Sequence, residues 1–600
     1  MINHAVPAVS LNTRARTREQ QALDFYACAA PANMVVTKWV LSMLLGLIQP
    51  ALTTASASSR VHTGPLPSLS SPLGPVVNLG YAAFAGNDTS PEGEVHTSVT
   101  FYGGIPFAQP PVGDLRFRAP KRLDETIRDP ARVRISDARN WGAPCIQQTA
   151  QVGIGSEDCL TLNVWKPSNA SEASRLPVLV YFHVRPPCRV FLCPRLNTTQ
   201  GGGYFADSPF GFPFYHWVAQ NQGFIAVSVT YRLNLLGFLG GAAVAADGDM
   251  NAGFHDQRAA LEWVQRNIHR FGGDPDEVTI AGESAGGGSV LAQMMAYGGS
   301  KPIHFKRGIV QSGAFGLFPT TEQAETTFKN VASIVGCTGS NAKIMKCLRN
   351  ASVGALASAI NKGSYPPLIE GPGGFLPGLP THLLHSGKFK KVDFMGGHTT
   401  DDVRVLIAAA PEAFQSEEDI RRILFPHLTA GLLDKAFKLY PPPGTPGSPY
   451  ANEYERGAQM FQDSTLGCFD ILAARKLASR GEDDVFSFRW NSPHMVWWER
   501  KPYQGSMHTS DLYYLFHGTV RLPNALDSFR ALNESETRLS REAIGYWTSF
   551  IISGNPSSEN EPSRPTWEPF ASTSASNSSS SSNTTTTAHR RIVIERGVRM

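Results

Sequence analysis

From residue 76 to residue 569 the chain alternates short apolar runs with amphipathic stretches. The runs "LPVLVYF" (Leu176–Phe182), "FIAVSVTY" (224–231), "EVTIAG" (277–282) and "VDFMGG" (392–397) are apolar over most of their length. A strand covered by helices on both faces has no solvent side to keep polar, so these runs predict buried strands of a parallel sheet. In "DQRAALEWVQRNIHRF" (256–271), Ala260, Val264 and Ile268 recur four apart, the spacing that places them on one face of a helix. Strands alternating with helices predict an α/β fold, with a large, mostly parallel central sheet flanked by helices.

Two stretches break the pattern. Near the start, Lys38 precedes an apolar run at 39–48 that Gln49 and Pro50 close. That run is too short for the ~20 residues a bilayer span needs. It has the form of a signal-peptide core, and Ala55, Ser56 and Ala57 offer small residues for cleavage. The expected organisation is a gene-model extension at 1–33, a signal peptide at 34–57 opening on Met34, a flexible mature N-terminus at 58–75 and one catalytic domain over 76–600. Near the other end, the Ser/Thr-rich segment 572–588 has too little apolar surface for a core. It is expected to be a disordered loop inserted before the strand-like "RIVIE" (591–595).

A net charge of +4 over 600 residues gives no electrostatic reason to expect a nucleic-acid or anionic-membrane partner. Secretion would carry the chain through an oxidising compartment. Eight cysteines sit at 28, 145, 159, 188, 193, 337, 347 and 468. Cys145 with Cys159, and Cys337 with Cys347, are close local pairs expected to form disulfides, leaving Cys468 outside them. No histidine or further cysteine stands at zinc-like spacing beside either pair, so no metal is expected. Sequons at Asn87, Asn169, Asn350 and Asn533 lie in polar stretches and are expected glycan acceptors.

"GESAGG" places Ser284 between Gly282 and Gly286, after "EVTIAG" and before the helix-like "GSVLAQMMAY". A serine on a tight strand-to-helix turn needs glycine two residues either side, because side chains there would collide. With 55 glycines in the chain the bare pattern is weak, and the flanking residues decide the matter. "DQRAALEWVQRNIHRFGGDPDEVTIAGESAGG" resembles the nucleophile region of the type-B carboxylesterases, the α/β-hydrolase family that includes cholinesterases and fungal lipases. "SEDCLTLNVWKP" around Cys159 is similar to the family's second signature. "GIPFAQPPVGDLRFRAP", "VTYRLNLLGFL" and "PLIEGPGGFLPGLP" follow in the family's order. The resemblance covers the chain from residue 76 to the Ser/Thr-rich segment.

The resemblance implies an α/β-hydrolase fold and serine catalysis without a cofactor. A serine hydroxyl is a weak nucleophile until a histidine takes its proton, and the imidazolium then needs a buried carboxylate. The resemblance puts these roles on Ser284, on His508 in "GSMHTSDLYYLF", and on Asp402 in "HTTDDVRVL". His517 is the competing histidine and Asp401 the competing acid. At Asp402 the sequence departs from the family, which has a longer Glu followed by Gly where this chain has Val403. The implied oxyanion hole consists of the N–H groups of Gly202, Gly203 and Ala285.

That last motif is interrupted. "FHVRPPCRVFLCPRLNTTQGGGYF" (182–205) would read "FHGGGYF" without residues 184–200, a segment of 17 residues or 51 nucleotides whose end codons are compatible with intron boundaries. It follows no strand or helix period and is expected to be a retained intron, the alternative being a genuine loop near the gorge.

The expected function is a secreted serine carboxylic-ester hydrolase that forms an acyl-enzyme on a small-molecule or lipid ester. Only 13 residues separate Cys145 from Cys159, which argues for an open gorge and for esterase over lipase action. The alternatives are a triacylglycerol lipase of the same family, a hydrolase-fold protein impaired by the insert, and a non-catalytic cholinesterase-like binding protein. Ser284 discriminates against the last, since such relatives typically lack the serine.

Overall fold

The computed structural model describes residues 66–88, 98–127, 129–148, 155–183, 203–206, 208–315, 318–481, 484–516, 531–558, 564–573 and 587–595. The expected signal peptide, the segment 184–200, Gly202, His517 and most of the Ser/Thr-rich segment lie outside the described residues.

Fourteen strands are described: β1 (Val76–Asn78), β2 (Ala83–Ala85), β3 (Val99–Pro106), β4 (Ile135–Asp137), β5 (Thr161–Pro167), β6 (Leu176–Phe182), β7 (Ile225–Val229), β8 (Gly273–Glu283), β9 (Arg307–Gln311), β10 (Asp393–Thr399), β11 (Val485–Trp490), β12 (Ala571–Thr573), β13 (Thr587–His589) and β14 (Ile592–Ile594). Nine of them form one sheet in the order β14-β11-β10-β9-β8-β6-β7-β5-β3. From β14 to β7 every neighbouring pair is parallel, while β5 and β3 extend the sheet antiparallel. β1, β2 and β4 make a small separate sheet.

The apolar runs behave as a doubly covered sheet requires. Along β6, Val178, Val180 and Phe182 enter one core cluster, whereas Leu179 and Tyr181 enter another on the opposite face. The first cluster is closed by helices Ala252–Asn267 and Ala285–Met295, the second by helix Glu534–Ser553. A third, smaller cluster gathers Val403 and Ile407 with helices Glu417–Leu424, Ala430–Phe437 and Glu453–Thr465, and so supports the loop that leaves β10. The mixed sheet with helices on both faces has the α/β-hydrolase architecture that the resemblance implies. Among the described residues no helix is long and apolar enough to cross a membrane.

Local differences from the expected elements have backbone causes. Within "FIAVSVTY" the strand β7 spans Ile225–Val229, and Thr230 N still donates to Thr161 O at 3.0 Å, the next position of the β5–β7 register. Ser572 and Thr573, expected in a disordered loop, pair with Ala588 and Thr587 in the β12–β13 ladder. That ladder is backbone hydrogen bonding, which apolar content does not report.

β6 lies between β7 and β8, so the chain leaves β6 toward one side of the sheet and leaves β8 toward the other. Such a reversal opens a crevice at the carboxyl ends of the strands, where ligands of open α/β sheets bind. Glu283, the last residue of β8, precedes Ser284 there, and Phe182, the last of β6, precedes His183.

Candidate active site

Ser284 occupies the turn between β8 and helix Ala285–Met295 with φ 55° and ψ −119°. A non-glycine residue reaches positive φ only when its surroundings over-determine it. Here Ser284 N donates to Gln311 O at 2.8 Å, and Ser284 O accepts from Gly288 N at 2.8 Å and Ala314 N at 2.9 Å. The two flanking glycines are steric necessities. A Cβ on Gly282 would lie 2.4 Å from the Gly286 carbonyl carbon, and one on Gly286 would lie 2.1 Å from Phe182 O. Ala285 is the first helical residue, and the early N–H groups of a helix have no intrahelical acceptor.

The histidine and the acid arrive from separate strands. Asp402 follows β10 in the loop braced by the third cluster, and His508 follows β11. His508 N donates to Asp402 O at 3.1 Å, which docks one loop on the other. His508 Nδ1 lies 2.6 Å from Asp402 Oδ1, and both side chains are buried. Asp401 points elsewhere. Its Oδ2 accepts from Ser506 N at 2.9 Å and its Oδ1 pairs with Arg404 Nη2 at 2.9 Å, so it holds the histidine loop rather than the ring.

The sequence reading missed the carboxylate on the other side of the ring. His508 Nε2 lies 3.2 Å from Oε1 of fully buried Glu283, the residue immediately before Ser284. Asp511 is a third buried carboxylate, with Gln311 Nε2 donating to its Oδ2 at 2.5 Å. Burial opposes the charged imidazolium, but Glu283, Asp402 and Asp511 outweigh it and raise the His508 pKa to about 9. Burial likewise opposes ionisation of Asp402, but the charge and hydrogen bond of His508 prevail and lower its pKa. For Asp511, burial together with the charge of Asp402 outweighs the hydrogen bond from Gln311 and the charge of His508, and raises its pKa to about 6. The only signal for Glu283 in the sequence is an acidic residue inside an otherwise small and apolar turn.

Of the implied oxyanion donors, Gly203 and Ala285 are described and Gly202 is not. Both flanks of the interrupted motif are anchored. His183 O accepts from Tyr231 Oη at 2.9 Å, and the two rings stack at 4.7 Å. Past the interruption, Tyr204 O accepts from Asn234 N at 2.8 Å and Phe205 O from Gln148 N at 2.7 Å. The Tyr204 hydroxyl reaches Ala314 O at 3.4 Å, on the segment that bonds Ser284.

Disulfides join Cys145 to Cys159 and Cys337 to Cys347, and Cys468 lies outside both. Arg116 couples the two staples. It is bidentate to Glu157 at 2.6 and 2.7 Å, beside the first, and donates to Leu348 O, Arg349 O and Ala351 O at 2.7–2.8 Å, beside the second.

Residues 74–594 match the family model described as the carboxylesterase family. Lipase 1 of Geotrichum candidum is 29% identical over 506 residues, covering 74% of this chain and 85% of that protein. A secreted lipase of Arthroderma benhamiae is 30% identical over 485 residues, covering 76% and 80%. The crystal structure of Aspergillus niger EstA superposes with a TM-score of 0.67 at 28% identity, covering 83% of this chain and 92% of that one.

Proposed function

Because the chain belongs to the carboxylesterase family and is a carboxylic ester hydrolase, we propose that it is a secreted serine esterase working through an acyl-enzyme on Ser284. The observation that carries this reading is the strained turn at Ser284 together with the buried His508–Asp402 pair at 2.6 Å. Ser284 Oγ bonds to the ester carbonyl carbon while His508 takes its proton, and the carbonyl electrons move to the oxygen. The oxyanion is held by the N–H groups of Gly203 and Ala285, with Gly202 as the further donor. Collapse breaks the bond to the alcohol, which leaves with the proton from His508. Water then repeats the cycle on the acyl-enzyme and releases the acid. Asp402 holds Nδ1–H and stabilises the imidazolium. No cofactor enters any step.

The secreted lipases among the relatives and the two disulfides support an extracellular setting. The short Cys145–Cys159 loop favours small, soluble esters over triacylglycerol, although the relatives named as lipases keep lipid esters in view. Turnover of a short-chain ester by the wild type, abolished in both Ser284→Ala and His508→Ala with the fold retained, is the expected result. Undiminished turnover by either variant would overturn the assignment.

A further inference from the structure

The interrupted motif is held on both sides by one short segment, the residues that follow β7. Tyr231 holds His183 O, and Asn234 N holds Tyr204 O. Arg232 clamps that segment in place. Its backbone N–H and Nε donate to Oδ2 of fully buried Asp256 at 3.0 and 2.8 Å, while Nη2 reaches Oδ1 at 2.6 Å.

Asn234 is the unusual member. It is fully buried and has φ 49°, the left-handed region that asparagine tolerates better than other side chains. Its side chain is spent on the same neighbourhood. Nδ2 donates to Ile146 O at 2.7 Å, one residue past Cys145, and Oδ1 accepts from Leu236 N at 3.2 Å. Two residues beyond Ile146, Gln148 N donates to Phe205 O. The loop that follows Gly203 is thereby tied twice to the disulfide loop, once through Asn234 and once directly.

Building on the hydrolase reading above, we propose that Asn234 is a positioning residue for the oxyanion-hole loop, transmitting the fixed geometry of the Cys145–Cys159 loop to Tyr204 and so to Gly203. An oxyanion donor acts only if it is aimed where charge develops, so a tether on the adjacent residue acts on the transition state more than on substrate binding. Asparagine satisfies both demands of the site, since its backbone takes positive φ while its amide bridges Ile146 O and Leu236 N.

The test is Asn234→Gly, made in the full chain and, in parallel, in the chain without residues 184–200. Glycine accepts the left-handed backbone and keeps the bond to Tyr204 O, so only the side-chain bridge is lost. The expected result is a fall in kcat of about tenfold, a fraction of the 10²–10³ that a lost oxyanion donor costs. KM should hold, and affinity for a trifluoromethyl ketone transition-state analogue should fall in parallel. The paired change Cys145→Ala/Cys159→Ala should lower kcat as well, and its effect should not multiply with that of Asn234→Gly, because both release the same tether. Unchanged kcat, or a fall accounted for by fewer titratable active sites, would overturn the proposal. If Asn234→Gly does not fold, unchanged kcat in the cysteine pair overturns it instead. Activity surviving in Ser284→Ala would sink the hydrolase reading itself, a separate outcome.

Discussion

Replacing Glu283 by Gln removes the negative charge nearest Nε2 of His508 while keeping the shape of the side chain. At 3.2 Å and an effective dielectric of ~20, the full charge–charge energy is about 5 kcal/mol. An opposite charge at such range typically moves a pKa by about 1–3 units, or ~1.4–4 kcal/mol after the cost of desolvation. Burial opposes the charged ring, and among the individual interactions that hold His508 near 9 against it the charge of Glu283 is the largest. His508 accepts a proton only when neutral, so the acid limb of kcat/KM should lie near pH 9 in the wild type and about 1–3 pH units lower in Glu283→Gln. The same charge stabilises the imidazolium of the transition state, so the alkaline plateau should fall by about 10–1000-fold. Below both limbs the two effects cancel, because His508 is already protonated in the ground state, and the two curves should converge. A pH-stat assay of acid release from a short-chain ester between pH 5 and 10 reads all three features. An acid limb that stays in place or moves upward would refute the reasoning.

Asp402→Asn should lower kcat by about 10³–10⁴-fold, whereas Asp401→Asn, which loses only the Arg404 pair and can still accept from Ser506 N, should stay within about tenfold; steady-state kinetics at one saturating ester concentration separates them. Deleting residues 184–200 should raise turnover at least ~10²-fold by restoring the loop that holds Gly202 and Gly203, since one oxyanion donor is worth about 2.7–4 kcal/mol. Transcripts that all retain the 51 nucleotides, with full activity of the uncut chain, would contradict the intron reading. Arg116→Ala should cost about 3–5 kcal/mol of stability, because it strands the Glu157 carboxylate, only 10% exposed, together with three backbone carbonyls; urea unfolding measures it.

What the sequence made legible is what local pattern and motif encode. The apolar runs gave the buried strands, and "GESAGG" gave the tight strand-to-helix turn on which Ser284 sits, with the reason for its glycines. What stayed hidden depends on how distant loops meet. Asp401 and Asp402 are neighbours with the same side chain, and only the docking of their loop on Ser506 and His508 turns one carboxylate to Arg404 and the other to the ring. Glu283 was in plain sight, yet its approach to Nε2 requires the β11 loop to fold over the end of β8. Asn234 sits inside "VTYRLNLLGFL" (229–239). A buried asparagine in an apolar run has to bond something, and the sequence could not say that the partners are Ile146 and Tyr204.

The central claim is that Ser284 becomes covalently acylated, and it is tested most directly by reacting the full chain with a fluorophosphonate and mapping the adduct by mass spectrometry. The account predicts one adduct per molecule, on the peptide containing Ser284, lost in Ser284→Ala and strongly slowed in His508→Ala. An adduct on any other residue, or ester turnover with Ser284 unmodified, would contradict it.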